Sequence, residues 1–557
     1  MSLDAVRPRR WGRDRWALVA LLLLAWALRL PPILDNRFHP DEALYGYWGL
    51  LIGRGRDPWL ATVPVYKPPL LPYLVAGAQA LFSNPGDHSE FAVRLPGLAA
   101  GLLTVPLVAA LAYALYRDRW TAGAAAVGVA LSPFAILFSA TAFPDPPVVM
   151  WGLAACVAAT RGRPGRAGLL AGLAFATKQT GLVWLPLVAL VPIPNPKSQI
   201  PKSSRSSLVI SHWSLVIDHW SLIICFLLVV GLVFGWDAVR VAQGAESFWR
   251  MGVTGYGGLR LIWPQELWTR LRGWVELMRY LFVSPAVNGA LLVGLPMLVW
   301  SGVQSPKYKL QSPDLGRYTR GSFADLLLIS FLLIYFLLHW LWAFPVWDRY
   351  LLPLVPVLAI LLGRILSLLV TCVRFAIRHS PFAIRHSSFA IRHSSFAIRH
   401  SPFAIRHSPL FIVHCSLFIF LLLPAWNAAH SRYPVGGDHG AYDGIDEVAA
   451  FLRGLPEGAV VYQHWLGWHY DYYLFDAPVY LAYWPTPAWL AQDVRAFGAR
   501  EPRYISFPSW ESPARVEWVL AGAGYELEPA LTTSRRDGTP SFTVYHIQEH
   551  GFQDINR

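Results

Sequence analysis

The sequence predicts an α-helical polytopic membrane protein with about 10 to 12 transmembrane helices and a small C-terminal α/β domain outside the membrane. Of the 557 residues, 55% are hydrophobic and only 15% are charged, whereas soluble domains are about half apolar and a quarter charged. Apolar stretches near the roughly 20 residues that a spanning helix needs recur along most of the chain. After residue 426 this pattern gives way to short alternating strands and helices. We therefore expect a membrane domain over residues 1–426 and an extracytoplasmic domain over residues 427–557.

The first apolar span covers residues 16–34 and follows a basic leader, RPRRWGRDR. No small-residue cleavage site follows it, which favours a retained anchor with a cytoplasmic N-terminus. The further apolar stretches are 92–115, 120–138, 146–160, 167–194, 221–236, 285–301, 323–341, 351–371 and 410–425.

Loop charge sets the orientation of these spans. Basic loops are retained in the cytoplasm, and these are residues 116–119, 161–166, 196–205, 307–320 and 374–407. This assignment requires that 167–194 makes no net crossing, so we expect two short helices or a re-entrant pair there. The remaining loops, which are 35–91, 143–146, 237–284, 346–350 and the tail, then lie on the outer side. The net charge of +13 reflects this topology and attraction to anionic lipids in a cell (plasma or inner) membrane, and not nucleic-acid binding.

Two seven-residue repeats are expected in cytoplasmic insertions at 195–220 and 374–409. SLVISHWSLVIDHW occupies 207–220, and five copies of FAIRHS begin at Phe375. A coiled coil or a histidine metal array is one interpretation. A duplicated DNA segment tolerated in a linker is favoured, because the copies are identical and prolines interrupt any helix.

The tail alternates strands with amphipathic helices, which is typical of an α/β domain. The predicted elements are 445–455, 458–465, 477–484, 488–499, 502–509, 514–524 and 541–548. An aromatic cluster at 462–473, YQHWLGWHYDYY, is compatible with a sugar-binding cradle, but a buried or membrane-facing aromatic patch is the favoured interpretation.

Polar side chains at the outer ends of the spans are the candidate functional residues, since charged groups in or near a membrane are costly and are functional candidates by default. The candidates are His39, Asp41, Glu42, Lys67, Arg94, Asp145, Lys178, Arg349 and Tyr350. Taken alone, Arg94 is equally explained as a helix-end anchor, and Asp145 as a helix cap.

As a set, these residues suit transfer from a lipid-phosphate donor. Lysine and arginine neutralise the charge that grows on a phosphate leaving group, while a carboxylate accepts the proton of an acceptor hydroxyl. Direct displacement needs one base and inverts the anomeric centre, unlike the two-carboxylate retaining route.

In these short motifs, taken in order, the chain resembles the GT-C glycosyltransferases of the protein O-mannosyltransferase and aminoarabinose-transferase type. The motifs are the DE pair, YKPPL, RLPG, an Asp-Pro after the third span, TKQTGL and DRYLLPLVP. The resemblance covers roughly residues 16–194 and returns at DRYLLPLVP. It implies a membrane glycosyltransferase that uses a polyprenyl-phosphate sugar on the outer face.

The resemblance also implies residue roles. Asp41 is then the catalytic base or acceptor ligand with Glu42 beside it, and Asp145 is a second acidic site residue. Lys67, Arg94 and Arg349 become candidates for the donor phosphate. His39, Lys178 and Tyr350 complete the expected substrate-binding set. The chain departs from the family in its repeat insertions and in FPDP, where related chains often have a basic or hydroxyl residue before the acid.

The expected partners are the lipid-linked donor, membrane lipids and an acceptor that is a protein, a lipid or a cell-wall glycan, without nucleic acid. No cofactor is expected, and a divalent metal is possible but not indicated by any motif. The alternative function is a transporter or flippase of a lipid-linked glycan, although the internal repeats typical of transporters are not visible. A receptor or scaffold would leave the DE and KPP motifs unexplained.

Overall fold

The computed structural model describes residues 11–83, 88–191, 206–255, 260–304, 315–379, 408–498 and 500–550. Its membrane part contains α1 (Trp11–Asp35), α2 (Pro40–Gly53), α3 (Leu70–Phe82), α4 (Glu90–Tyr116), α5 (Arg119–Ala130), α6 (Pro133–Ser139), α7 (Asp145–Thr160), α8 (Pro164–Thr177), α9 (Trp184–Leu190), α10 (Ser206–Ala242), α11 (Phe248–Gly255), α12 (Glu266–Met278), α13 (Pro285–Gln304), α14 (Leu315–Leu341), α15 (Leu354–His379) and α16 (Ser408–Ala429). Short 3₁₀ helices cover Gln179–Val183 and Asp348–Leu351.

This is a multi-pass membrane protein. Within the described residues, five helices are long and apolar enough to cross a membrane, or six if the bent pair α5 and α6 forms one span. Five further apolar helices are shorter. Within the described residues, each predicted apolar stretch falls on helical structure, which confirms the predicted fold class.

The predicted span at 120–138 is broken by a 56° bend between α5 and α6. Pro133 starts α6, and the Ser132 hydroxyl caps it by accepting from the Ala135 N–H. The carbonyl of Ala130 at the end of α5 instead accepts a hydrogen bond of 3.1 Å from buried Arg29 on α1. A proline and a serine cap therefore end one helix and start the next inside the bundle.

As far as residue 191, where the described part ends, the stretch 167–194 contains two short helices, which is one of the two predicted arrangements. Lys178 is extended and separates α8 from the 3₁₀ turn that leads into α9. Its ammonium lies 2.6 Å from Asp145 at the start of α7. Trp184 packs against Gly152, which is two turns further along α7, so closely that a Cβ on Gly152 would lie 2.3 Å from the Trp184 ring. After α8 the chain thus reverses at Lys178 and returns along α9 beside α7, which is the course expected of a stretch that makes no net crossing.

The 35–91 segment differs from a simple loop because α2 starts at the DE pair. Pro40 occupies the first turn, and His39 is the N-cap, whose ring nitrogen accepts from the Asp41 N–H. Glu42 accepts from the His39 N–H at 3.1 Å, which completes a capping box. The sequence does not indicate this capping box, because a histidine occupies the N-cap position where serine or threonine is usual. The 237–284 segment likewise contains α11 and α12.

The shorter repeat at 207–220 is helical and continuous with the rest of α10, which begins at Ser206, and residues 195–205 of the predicted insertion lie outside the described part of the chain. In the FAIRHS region, residues 380–407 lie outside the described part of the chain, and α15 extends to His379.

The tail contains a five-stranded sheet in the order β2-β1-β3-β5-β4. Strand β1 is parallel to β2 and β3, whereas β5 is antiparallel to β3 and β4. The strands are β1 (Val460–Gln463), β2 (Tyr480–Tyr483), β3 (Arg503–Pro508), β4 (Tyr525–Ser534) and β5 (Pro540–Glu549), and the helices are α17 (Ile445–Arg453), α18 (Gly467–Tyr473), α19 (Pro487–Phe497) and α20 (Ala514–Ala521). All seven predicted elements are present, and β4 and α18 are additional.

The tail packs directly on the membrane domain. Tyr470 and Tyr472 of α18 are fully buried, which places the aromatic cluster in the core and not in an open sugar cradle. A Cβ on Gly46 of α2 would lie 2.8 Å from the Tyr472 ring, and His469 forms a 2.9 Å hydrogen bond with the Phe38 carbonyl. One hydrophobic cluster therefore joins both parts of the chain.

The predicted orientation can be tested by cysteine labelling from outside intact cells, in a chain whose four cysteines are replaced. Arg515→Cys, exposed on α20, should be modified, while Arg161→Cys, exposed after α7, should be spared. Permeabilisation should make the second residue reactive and serves as the control. Labelling of Arg161→Cys in sealed cells would invert the predicted topology.

Candidate active site

A cavity of about 450 Å³ lies at the end of the helix bundle to which the tail is attached. We call this end the site face. Its lining includes His39, Asp41, Phe143, Trp347, Asp348 and Arg349. Residues from the start of α2, the loop before α7 and the turn before α15 therefore meet around one space.

Asp41 and Arg349 form an ion pair in the wall of this cavity. They are hydrogen-bonded through Arg349 Nη1 and Asp41 Oδ2, and the guanidinium also lies 4.2 Å from the Trp347 ring centroid. Burial raises the pKa of the Asp41 carboxyl, but the charge and hydrogen bond of Arg349 outweigh it, so this pKa is below its usual range. Asp41 is thus held ionised and is a weak base while the pair is intact.

A second ion pair lies deeper. Lys178 Nζ is 2.6 Å from Asp145 Oδ1, and both side chains are buried. The ammonium also lies 4.5 Å from the ring centroid of Tyr350. Asp145 is the first residue of α7, and its Oδ1 accepts from Lys178 while its Oδ2 has no hydrogen-bond partner among the described residues, so its carboxylate serves Lys178 and not the helix end. Tyr350 is buried behind the pair, and its carbonyl accepts a 2.7 Å hydrogen bond from Tyr335.

Lys67 joins these groups from the loop between α2 and α3. Its backbone neighbour is held by a 2.9 Å hydrogen bond from Gln179 to the Tyr66 carbonyl, and buried Arg240 donates to the Leu60 carbonyl at 3.0 Å. Burial, followed by the charges of Lys178 and Arg349, places the pKa of Lys67 well below its usual value. An anion bound nearby would favour the charged form of Lys67, so anion binding is tighter when Lys67 is protonated than when it is neutral.

The structure does not bring Glu42 and Arg94 to the cavity. They form a buried pair, with Arg94 Nε 2.9 Å from Glu42 Oε1, and the same carboxylate accepts from the Ala142 N–H at 2.9 Å. Arg94 also donates to the carbonyls of Ile33, Asn36 and Arg37. The hydrogen bonds of Arg94 thus hold the end of α1 and the segment that leads into α2, which is a structural role.

His39 does reach the cavity. Its ring accepts from the Asp41 N–H at 3.2 Å and packs edge-on against Phe143, with ring centroids 5.3 Å apart. Of the nine predicted residues, His39, Asp41 and Arg349 line the cavity, and Lys67, Asp145, Lys178 and Tyr350 lie next to it.

Sequence reasoning missed the contribution of Asp348 and the tail. Asp348 Oδ1 accepts from the Arg349 N–H, and its Oδ2 accepts from the Gly436 N–H at 2.9 Å. Gly436 has φ +98° and lines the cavity, and a Cβ on Gly437 would lie 3.3 Å from Glu42 Oε2. The adjacent glycines in the sequence were the available signal, but only the fold shows that this turn closes the site.

A metal site is not evident in the described residues, where no group of three or more His, Cys, Asp or Glu side chains is placed to hold an ion. The four cysteines form no disulfide, and none of them is among the residues that line the cavity.

Comparisons with known proteins agree with this architecture. Residues 66–217, which include Lys67, Asp145 and Lys178, match the family model described as dolichyl-phosphate-mannose-protein mannosyltransferase. None of the curated protein sequences matches the chain.

Two crystal structures of ArnT from Cupriavidus metallidurans are similar in fold. The apo structure has a TM-score of 0.59 and 13% identity, and the comparison covers 96% of this chain and 98% of that one. The structure bound to undecaprenyl phosphate has a TM-score of 0.59 and 14% identity over the same shares of the two chains. The GT-C glycosyltransferase fold implied by the sequence motifs is thereby confirmed.

Proposed function

We propose that this protein is a glycosyltransferase that moves a sugar from a polyprenyl-phosphate donor to an acceptor hydroxyl at the outer face of the membrane. The observation that carries the proposal is the Asp41–Arg349 pair at a cavity backed by Lys67 and the Lys178–Asp145 pair. The match to a mannosyltransferase family model and the fold shared with a protein bound to undecaprenyl phosphate support this donor class.

The reaction is a single displacement that inverts the anomeric centre. The acceptor oxygen forms a bond to the anomeric carbon as the bond from that carbon to the phosphate oxygen breaks. Asp41 takes the acceptor proton, and the electron pair of the broken bond stays on the lipid phosphate. Only one carboxylate is required, which is consistent with Glu42 being buried beside Arg94.

The cations stabilise the leaving phosphate. Arg349 has a fork of donors suited to phosphate oxygens, and Lys67 adds charge in a site where water is largely excluded. Asp145 holds Lys178 in position and offsets part of the repulsion among the three cations.

Donor binding also activates the base. As long as Arg349 is paired only with Asp41, it lowers the pKa of that carboxyl. When a phosphate shares the guanidinium, part of this stabilisation is removed, so Asp41 becomes a stronger base once the donor is in place. This arrangement limits proton removal to the loaded enzyme.

The function is tested by giving membranes that contain this protein a polyprenyl-phosphate sugar labelled in the sugar, and following the label. We expect transfer to an acceptor that depends on the protein and is lost in the Asp41→Asn variant. A nucleotide sugar offered to the purified protein is the control donor and should not react. Label that crosses the membrane while remaining on the lipid would instead identify a flippase.

Lys67→Ala should weaken donor affinity and lower turnover by about 10²-fold, because it removes a cation facing the leaving phosphate. Since the pKa of Lys67 is depressed, donor affinity in the parent should decline with rising pH earlier than an ordinary lysine would allow. Lys67→Arg keeps its charge throughout this range and should show a flat profile. Donor dissociation constants measured over a pH series check this, and identical profiles for parent and Lys67→Arg would exclude Lys67 as the titrating group.

A further inference from the structure

Helix α12 has two different faces. Its inner face carries Trp274, which is fully buried, and Arg270, which donates to carbonyls in the last turn of α14 and just after it. These contacts to the carbonyls of His339, Trp342 and Phe344 measure 3.0, 2.7 and 2.6 Å. In return, the Trp340 indole donates to the Leu267 carbonyl at 2.9 Å. Helix α12 is thus fastened across the end of α14.

That position fixes its depth relative to the membrane. The apolar span within α14 ends at Leu341, and α13 starts at Pro285, shortly after α12. A helix attached at the end of a span lies where the hydrocarbon layer gives way to the headgroups. The environment expected for α12 is therefore the interface and not the bilayer centre.

The outer face of α12 has the composition that suits this depth. Trp268 is 74% exposed and Val275 is 57% exposed, and Arg272 and Arg279 are exposed on the same side. These four residues follow the spacing i, i+4, i+7 and i+11 of one helical stripe. Trp263, just before the helix, is 63% exposed. Tryptophan concentrates at membrane interfaces, and arginine binds phosphate.

Not every arginine on this stripe is paired with an acidic side chain among the described residues. Arg279 pairs with Glu276 at 3.4 Å, and Arg260 pairs with Glu266 at 3.0 Å. Arg272 forms no ion pair with any residue that the structure describes, although it lies between two exposed apolar side chains. A phosphate beside Arg272, with lipid chains beneath Trp268 and Val275, would satisfy both parts of the stripe.

We infer that α12 is an interfacial helix whose Trp268, Arg272, Val275 and Arg279 stripe docks in the phospholipid headgroup layer, with Arg272 on a lipid phosphate. The inner face of this helix also packs close to the reaction site. A Cβ on Gly273 would lie 3.2 Å from Val346, just before the turn that carries Arg349. Trp274 contacts His339, which in turn contacts Tyr350, with ring centroids 6.1 and 5.3 Å apart.

Docking depth is measured with nitroxide labels in the full chain, without its native cysteines, in phosphatidylglycerol and phosphatidylethanolamine nanodiscs. Trp268→Cys carries the test label, exposed Leu333→Cys on α14 reports the bilayer interior, and Arg515→Cys reports water. The ratio of collisions with oxygen to collisions with a nickel chelate should fall between the two reference labels. A ratio equal to that at either reference position would overturn the proposal.

The phosphate contact has its own test, which does not depend on transferase activity. Native mass spectrometry of the intact protein should show several-fold less retained phosphatidylglycerol for Arg272→Gln than for the parent. Arg250→Gln is the matched control, because its side chain is 78% exposed and lies on the neighbouring α11. Equal retention in Arg272→Gln and the parent, or equal losses in the two variants, would contradict a site at Arg272.

Discussion

Asp41→Asn is expected to lower the rate of sugar transfer by about 10²- to 10⁴-fold, which is the usual contribution of a general base. Asparagine keeps the size of the side chain and a hydrogen bond to Arg349 but cannot accept the acceptor proton. Donor affinity should stay within a few fold of the parent, because the phosphate is assigned to Lys67, Lys178 and Arg349. The measurement is transfer rate and donor affinity for both proteins in the same nanodisc preparation.

The control is Asp446→Asn, which removes a partly exposed acid on α17 and should leave the rate near that of the parent. A folded Asp41→Asn protein that binds donor and transfers at the parental rate would exclude Asp41 as the base. Asp145 would then be the next candidate, because Glu42 is buried and saturated with hydrogen bonds. If Asp145→Asn were also active, the transferase proposal would fail.

The adjacent acids show how far sequence reasoning reached. Their position at the end of the first span identified them as functional candidates. Adjacent residues on a helix point about 100° apart, so Asp41 faces the cavity and Glu42 faces Arg94. Dividing the pair into a site residue and a structural residue required knowing that α2 starts at Pro40.

Helices were easier to predict than contacts between them. Long apolar runs and basic loops are local signals, and the charge pattern even required the reversal at Lys178. The pairing of Asp41 with Arg349, 308 residues apart, has no local signal. Strand β4 was missed for a related reason, since YELEPALTTS is mostly exposed and contains a proline at a register shift, which obscures the alternation expected of a strand.

The tail has a direct connection to the reaction site. The Gly436 N–H bonds to Asp348, the residue before Arg349, while Gly437 packs beside Glu42, the residue after Asp41. A single turn after α16 therefore contacts the neighbours of both members of the cavity ion pair. This explains physically why the tail forms one core with the membrane domain, and it makes the tail part of the proposed site.

Arg94→Met is expected to destabilise the folded protein by about 3–5 kcal/mol, because it leaves Glu42 as a buried charge without its partner. The substitution also removes the donors that hold the carbonyls of Ile33, Asn36 and Arg37, and with them the entry into α2. Glu42→Gln is the matched variant. It should cost less, since Arg94 keeps these three carbonyls and the amide oxygen can still accept from Ala142.

Thermal melting of the detergent-solubilised proteins, monitored by loss of monodisperse protein, gives the order parent, Glu42→Gln, Arg94→Met. The same samples distinguish the structural role from the phosphate role suggested by the motif. Arg94→Lys retains one positive charge but cannot reach the several acceptors that the guanidinium fork satisfies, so a structural arginine predicts a lower melting temperature with near-parental donor affinity in the surviving protein. An Arg94→Lys protein that melts like the parent but binds donor many-fold more weakly would instead place Arg94 on the donor phosphate, and the buried pair with Glu42 would then have to open during the reaction.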